Sequence, residues 1–192
     1  MRLMKANKPI ATDTAEVAKR VVCDHLKAGD HAVDATCGNG RDTQALAGAV
    51  GPEGHVLAID IQADAIDATR ERLHAHQYLE RVSLIQESHV RLADRLTGKA
   101  QAIMFNLGYL PGGDPSITTH CEDTLPAIQS ALACLDKDGL LSIVVYPGHD
   151  EGAKEAHAID AWVAGLEDFR VFSYRRINSR APAPFAWFIQ QG

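Results

Sequence analysis

The chain has 192 residues, 46% of them hydrophobic and 23% charged, with a formal net charge of −6. Such a composition excludes a disordered tail protein and a pair of full-sized domains, so one domain over 1–192 is expected, with enough chain for a core without disulfide or metal staples. The acidic balance argues against indiscriminate attraction to nucleic acid while leaving room for a local basic patch. The longest strongly apolar run, Leu140 to Tyr146, is far short of the roughly 20 residues that cross a bilayer, and the start MRLMKANKP lacks a signal-peptide core. A cytoplasmic protein without membrane association is the expectation.

In chain order, Asp13 with Glu16 forms a helix-capping pair, and Ala15, Ala18, Val22 and Leu26 follow at helical spacing before Gly29. His31 to Thr36 reads as a strand, Asp42 to Val50 as a helix, and His55 to Asp60 as the second strand. Ala63, Ile66, Arg70, Leu73 and Gln77 trace a long helix, after which Val82 to Gln86 returns to strand. A short helix over Ser88 to Leu96 leads into a strand at Ala100 to Asn106 and a Gly/Pro-rich loop from Gly108 to Pro115. Leu125, Ile128, Leu132 and Leu135 mark the next helix, and Gly139 releases the chain into a strand at Leu140 to Tyr146. A helix through Ala156, Ile159, Val163 and Leu166 is followed by two β-rich runs, Phe169 to Tyr174 and Phe185 to Ile189, too close for a helix between them. The alternation predicts an α/β fold: a doubly wound, Rossmann-like, mostly parallel sheet with a C-terminal antiparallel hairpin.

In such a sheet ligands gather beyond the carboxyl ends of the strands. At the first, Asp34-Ala35-Thr36-Cys37-Gly38-Asn39-Gly40 runs into a helix, and Gly38 and Gly40 suit a tight turn that a ligand approaches; a plain glycine turn is the competing reading. A dinucleotide loop wants a small residue three places after the second glycine to admit a pyrophosphate, and here Thr43 stands there with Asp42 beside it. An acidic group repels phosphate, so a nucleoside carrying a sulfonium and an amino-acid tail is preferred, with Asp34 placed to hold the tail's ammonium. Asp60, at the end of the second strand, suits both ribose hydroxyls, its competing role being a helix cap; Gln62 borders the sugar and His89 the adenine. Asn106 ends the fourth strand and is followed by Tyr109, an arrangement that resembles the acceptor loop of enzymes methylating amino groups. An amide carbonyl there accepts the N–H groups of an amine and directs its lone pair, while Tyr109 stacks on a planar substrate or merely anchors the loop.

DATCGNGRDT, IDIQ, FNLGYLPGGD, YPGHDEG and NSRAPAPF together resemble the YtqB/MnmM-type rRNA methylase family, over nearly the whole chain. Pro147, Pro182 and Pro184 depart from its pattern. The resemblance implies class I methyltransferase topology with S-adenosyl-L-methionine as cofactor. It also implies methylation of the 5-aminomethyl group of (2-thio)uridine at the tRNA wobble position, so the tRNA anticodon loop is the expected partner, and a homodimer is suggested. Cofactor contacts then fall on Asn39, Asp42, Asp60, Gln62 and His89, with the substrate amine at Asn106. Asp114 in the acceptor loop, His149 and the basic residues Arg176 and Arg180 beside Arg175 are substrate-side candidates. For His149 helix capping, and for the arginines a solvated turn, compete. Methylation of a small metabolite, or a nucleoside-binding module without turnover, are the other readings. His74, His76, His120 and the four cysteines lack metal-ligand or redox spacing, so no metal is assigned and reduced thiols are expected.

Overall fold

The computed structural model describes residues 13–108, 110, 112 and 118–191. Five parallel strands, β1 (His31–Asp34), β2 (His55–Asp60), β3 (Val82–Gln86), β4 (Ala100–Asn106) and β5 (Leu135–Val145), are joined by two more, β6 (Phe169–Arg175) and β7 (Phe185–Gln191), in one sheet of order β3-β2-β1-β4-β5-β7-β6. β7 lies antiparallel between β5 and β6, and Val145 pairs with Phe185. This is the expected mostly parallel doubly wound sheet with an antiparallel finish. Strand order reverses between β1 and β4, which pair directly, so their carboxyl ends open the crevice where ligands bind in this architecture.

Period-two alternation assigns the strand residues to two faces. Val33, Ile59, Phe105 and Ile143 point into one core, which includes residues of α5 (Cys121–Cys134) and α6 (Asp150–Val163). Ala32, Ala58, Met104 and Val144 point into the other, with residues of α1 (Thr14–His25), α2 (Arg41–Val50) and α3 (Ala63–Ala75). Asp13 caps α1 through its side chain as expected, whereas Glu16 pairs with Lys19 instead of completing the capping box.

Four local expectations are corrected. The buried face of α3 is Ala65, Ile66, Thr69 and Leu73; Arg70 is exposed and pairs with Asp67, and Gln77 lies past the helix end with φ 59°. The segment after β3 is a 3-10 turn (His89–Arg91) followed by the one-turn helix α4 (Leu92–Arg95). β5 starts at Leu135 instead of after Gly139: Leu135 pairs with Ala100, and a bulge restores register at Leu140 opposite Ala102. Helix α6 runs from Asp150, directly after His149, to Val163, so Leu166 lies past its end. Among the described residues no helix is long and apolar enough to cross a membrane.

Candidate functional site

The turn between β1 and α2 is built from main chain. Gly38 (φ +49°) and Gly40 (φ +73°) occupy the left-handed region that side chains disfavour. A Cβ on Gly40 would meet the Cα of Thr69 at 2.9 Å, so α3 packs where only glycine leaves room. One oxygen of Asp60 accepts from the Gly38 N–H at 2.9 Å and the other from the Gln62 N–H at 3.0 Å. From α3 the Thr69 hydroxyl donates to the Gly38 carbonyl at 2.8 Å and Arg72 Nε to the Asn39 carbonyl at 2.7 Å. Leu110, from the loop after β4, leans over Gly38.

Asp34 and Thr43 do not face this crevice. Asp34 is 1% exposed and Thr43 fully buried; the Thr43 hydroxyl donates to Asp34 at 2.6 Å and the Thr36 N–H at 3.3 Å. Burial, with the charge of Asp42 second, pushes the Asp34 carboxyl up to about 7. The role of holding a ligand's ammonium is therefore corrected: Asp34 lies beneath the turn and braces it, with Thr43 as its partner.

The acceptor side is held by side chains. The Asn106 N–H donates to Thr36 Oγ1 at 2.7 Å, and Asn106 Nδ2 donates to Asp42 Oδ2 at 3.2 Å. The other Asp42 oxygen lies 3.8 Å from Lys19 Nζ on α1. Burial raises the Asp42 pKa, with Lys19 and Asn106 opposing. Two residues beyond Asn106, the Gly108 N–H donates to Thr119 Oγ1 at 2.9 Å, and the Thr119 N–H returns to the Gly108 carbonyl at 3.2 Å. The Thr119 and Thr124 hydroxyls donate to Glu155 at 2.9 and 2.6 Å. Glu155 is 1% exposed, and burial raises its pKa against those two hydrogen bonds. Tyr109 and Asp114 lie outside the described residues.

His89 sits past β3 with 9% exposure, its ring edge-on to Phe105 at 5.8 Å, and burial lowers its pKa. Its Nε2 is buried and has no hydrogen-bond partner among the described residues. His149 Nδ1 accepts from the Gly152 N–H at 3.1 Å and so caps α6, which is the capping alternative. Arg175 is not a free cation either: it pairs with Asp160 at 2.6 Å and stacks over Phe185 at 3.7 Å. Arg176 and Arg180 remain exposed in the β6–β7 loop, which the Val145–Phe185 pairing brings to the carboxyl edge of β5.

The crevice thus offers bare glycine main chain and the carboxylate of Asp60, with the buried imidazole of His89 behind it past β3. That donor set suits a nucleoside carrying hydroxyls and positive charge and repels a pyrophosphate. The family model described as "Putative rRNA methylase" matches residues 56–190. The chain is 38% identical to a tRNA (mnm(5)s(2)U34)-methyltransferase, chloroplastic, of Arabidopsis thaliana, covering 93% of this chain and 68% of the relative. This chain belongs to that methylase family. An rRNA-methylase crystal structure from Clostridium thermocellum superposes with a TM-score of 0.91 at 35% identity, covering 95% of this chain and 99% of that one. A methyltransferase from Streptococcus mutans in complex with SAH gives a TM-score of 0.85 at 32% identity, covering 95% and 100%.

Against this methylase's sequence, the residues not foreseen are Thr36, Thr69, Arg72, Thr119 and Glu155. Thr69 carried a signal, since a threonine at a helical position in phase with Ile66 and Leu73 must satisfy its hydroxyl. Glu155 carried a weaker one, falling one residue before Ala156 on the inward stripe of α6. Nothing local pointed to Thr119, whose partners are 11 and 36 residues away.

Proposed function

We propose that this methylase uses S-adenosyl-L-methionine to methylate an exocyclic amine, the 5-aminomethyl group of (2-thio)uridine at the wobble position of tRNA. When bound, the cofactor supplies a methyl group on a positively charged sulfur; the amine lone pair forms the new carbon–nitrogen bond as the carbon–sulfur bond breaks, leaving a neutral thioether and an ammonium that loses its proton to water. Asp60 takes the ribose hydroxyls on the lone pairs its two backbone hydrogen bonds leave over, while Gly38, Asn39 and Gly40 present main chain and Gln62 and His89 flank the sugar and base. Asn106 accepts the amine's N–H groups and aims its lone pair, so no strong base is needed. Exposed Arg176 and Arg180 take phosphates of the anticodon loop, whose unstacked bases can be splayed toward the crevice.

The observation that carries this reading is the placement of Asp60 and Asn106 on either side of the glycine turn at the β1/β4 reversal, and the relative's name supports the choice of substrate. Mass spectrometry of nucleosides from tRNA that carries 5-aminomethyl-(2-thio)uridine at the wobble position, incubated with protein and cofactor, tests it. The expected result is conversion of the aminomethyl uridine to its methylaminomethyl form, and an unchanged nucleoside profile overturns it.

A further inference from the structure

An asparagine amide has a donor end and an acceptor end of nearly the same shape, and only its surroundings decide which end faces a ligand. An amine that must keep its lone pair free for the methyl carbon needs the acceptor end. At Asn106 the main-chain N–H is fixed by Thr36, but that bond leaves the side-chain torsions open. Among the described residues the remaining constraint is Asp42, in the first turn of α2 and 14% exposed at its side chain, which receives Nδ2 at 3.2 Å. An ionised carboxylate accepts and cannot donate, so it captures the NH₂ end and turns the carbonyl the other way. Lys19, 3.8 Å from the second oxygen, favours the ionised form.

We infer that Asp42 is a positioning residue: it sets the polarity of the Asn106 amide so that Oδ1 faces the acceptor amine, and is not itself a cofactor contact. The inference rests on the amine-methylating reading of the site and deepens it. It replaces the cofactor role expected of Asp42 from the sequence with one that acts through Asn106. The same carboxylate places a negative charge one side chain away from the nitrogen that turns cationic as the methyl arrives, which favours the transition state over the neutral amine.

The test uses the full chain and three variants: Asp42→Asn, Asn106→Asp, and the two combined. Asp42→Asn removes the acceptor-only partner and lets the amide flip, so kcat for tRNA methylation falls about tenfold or more, the scale of about 1.4 kcal/mol, while SAH affinity by calorimetry is unchanged. Asn106→Asp sets two carboxylates face to face and is also slow. In the combined variant an aspartate at 106 accepts the amine and an asparagine at 42 donates to it, so activity rises above both single variants, a rescue that a merely structural role does not produce. NMR of the ¹⁵N-labelled protein reads the claim apart from turnover: the Asn106 side-chain amide protons shift as Asp42 titrates, and Asp42→Asn abolishes that response. An amide signal that ignores Asp42, a tenfold loss of SAH affinity in Asp42→Asn with kcat intact, or no rescue in the combined variant overturns the inference. Intact NMR coupling with no methylation of any tRNA overturns the functional reading alone.

Discussion

The glycine turn after β1 and the acceptor segment after β4 lie side by side on one sheet edge but are held in different ways. The turn is fixed through main chain: Gly38 and Asn39 are gripped at their backbone atoms by Asp60, Thr69 and Arg72, from the adjacent strand and the helix that follows it, and Gly40 packs closely against Thr69. The acceptor segment is fixed through a series of side chains drawn from α1, α2, the end of β4, the loop before α5, α5 and α6, namely Lys19, Asp42, Asn106, Thr119, Thr124 and Glu155. A loop gripped at its backbone keeps its shape when its own side chains change, whereas a side-chain series fails wherever one member is replaced. On the proposed reading, cofactor recognition is in this way separated from acceptor recognition, and the two can be damaged independently.

The separation is broken hardest at Gly40. Gly40→Ala forces a methyl against the Thr69 main chain at a φ of +73°, combining overpacking with left-handed strain. A loss of about 3 kcal/mol is expected, lowering the melting temperature by roughly 10 °C in a chain of this size and abolishing SAH binding with it. A variant that melts like the wild type shows that the turn is less tightly packed than described.

On the other side, Glu155→Ala leaves the Thr119 and Thr124 hydroxyls without their acceptor and costs about 1–3 kcal/mol. Methylation of tRNA is lost while calorimetric SAH affinity stays within a factor of about two, a shift below 0.5 kcal/mol. Parallel loss of both would join the two halves that the hydrogen bonds keep apart.

Asp34 sharpens the comparison through pH. Its native pKa of about 7 lies above the ordinary 3.8, so between those values the folded protein keeps a proton that the unfolded chain has released. Its contribution to stability is thus greatest at low pH, declines as pH rises through that window and is level above it. Urea titrations at a series of pH values should show this decline in the wild type and its absence in Asp34→Asn; identical slopes would place Asp34 in contact with water. The smallest effect is expected from Arg176→Ala with Arg180→Ala: tRNA affinity weakens modestly, and the slope of log K against log salt becomes shallower by about 2, one per lost phosphate contact. An unchanged slope moves the tRNA surface elsewhere.

Much of this was determined by the amino-acid sequence alone. Strand and helix periods, and two β-rich runs with no room for a helix between them, led directly to the sheet and its antiparallel finish, because these signals are local and repeat every two or 3.6 residues. The turn glycines and Asp60 were legible for the same reason, their spacing being set by one strand–helix–strand unit. What only the tertiary structure decided is which polar groups meet. Asp34 and Asp42 are eight positions apart, yet one braces the turn from below and the other holds Asn106, 64 residues away. Arg175 and Arg176 are adjacent, yet only the first is drawn inward by Asp160 and Phe185, because Arg175 is the last residue of β6 and Arg176 the first of the exposed loop. Side-chain partners across distant segments depend on how helices seat on the sheet, and no local period encodes that.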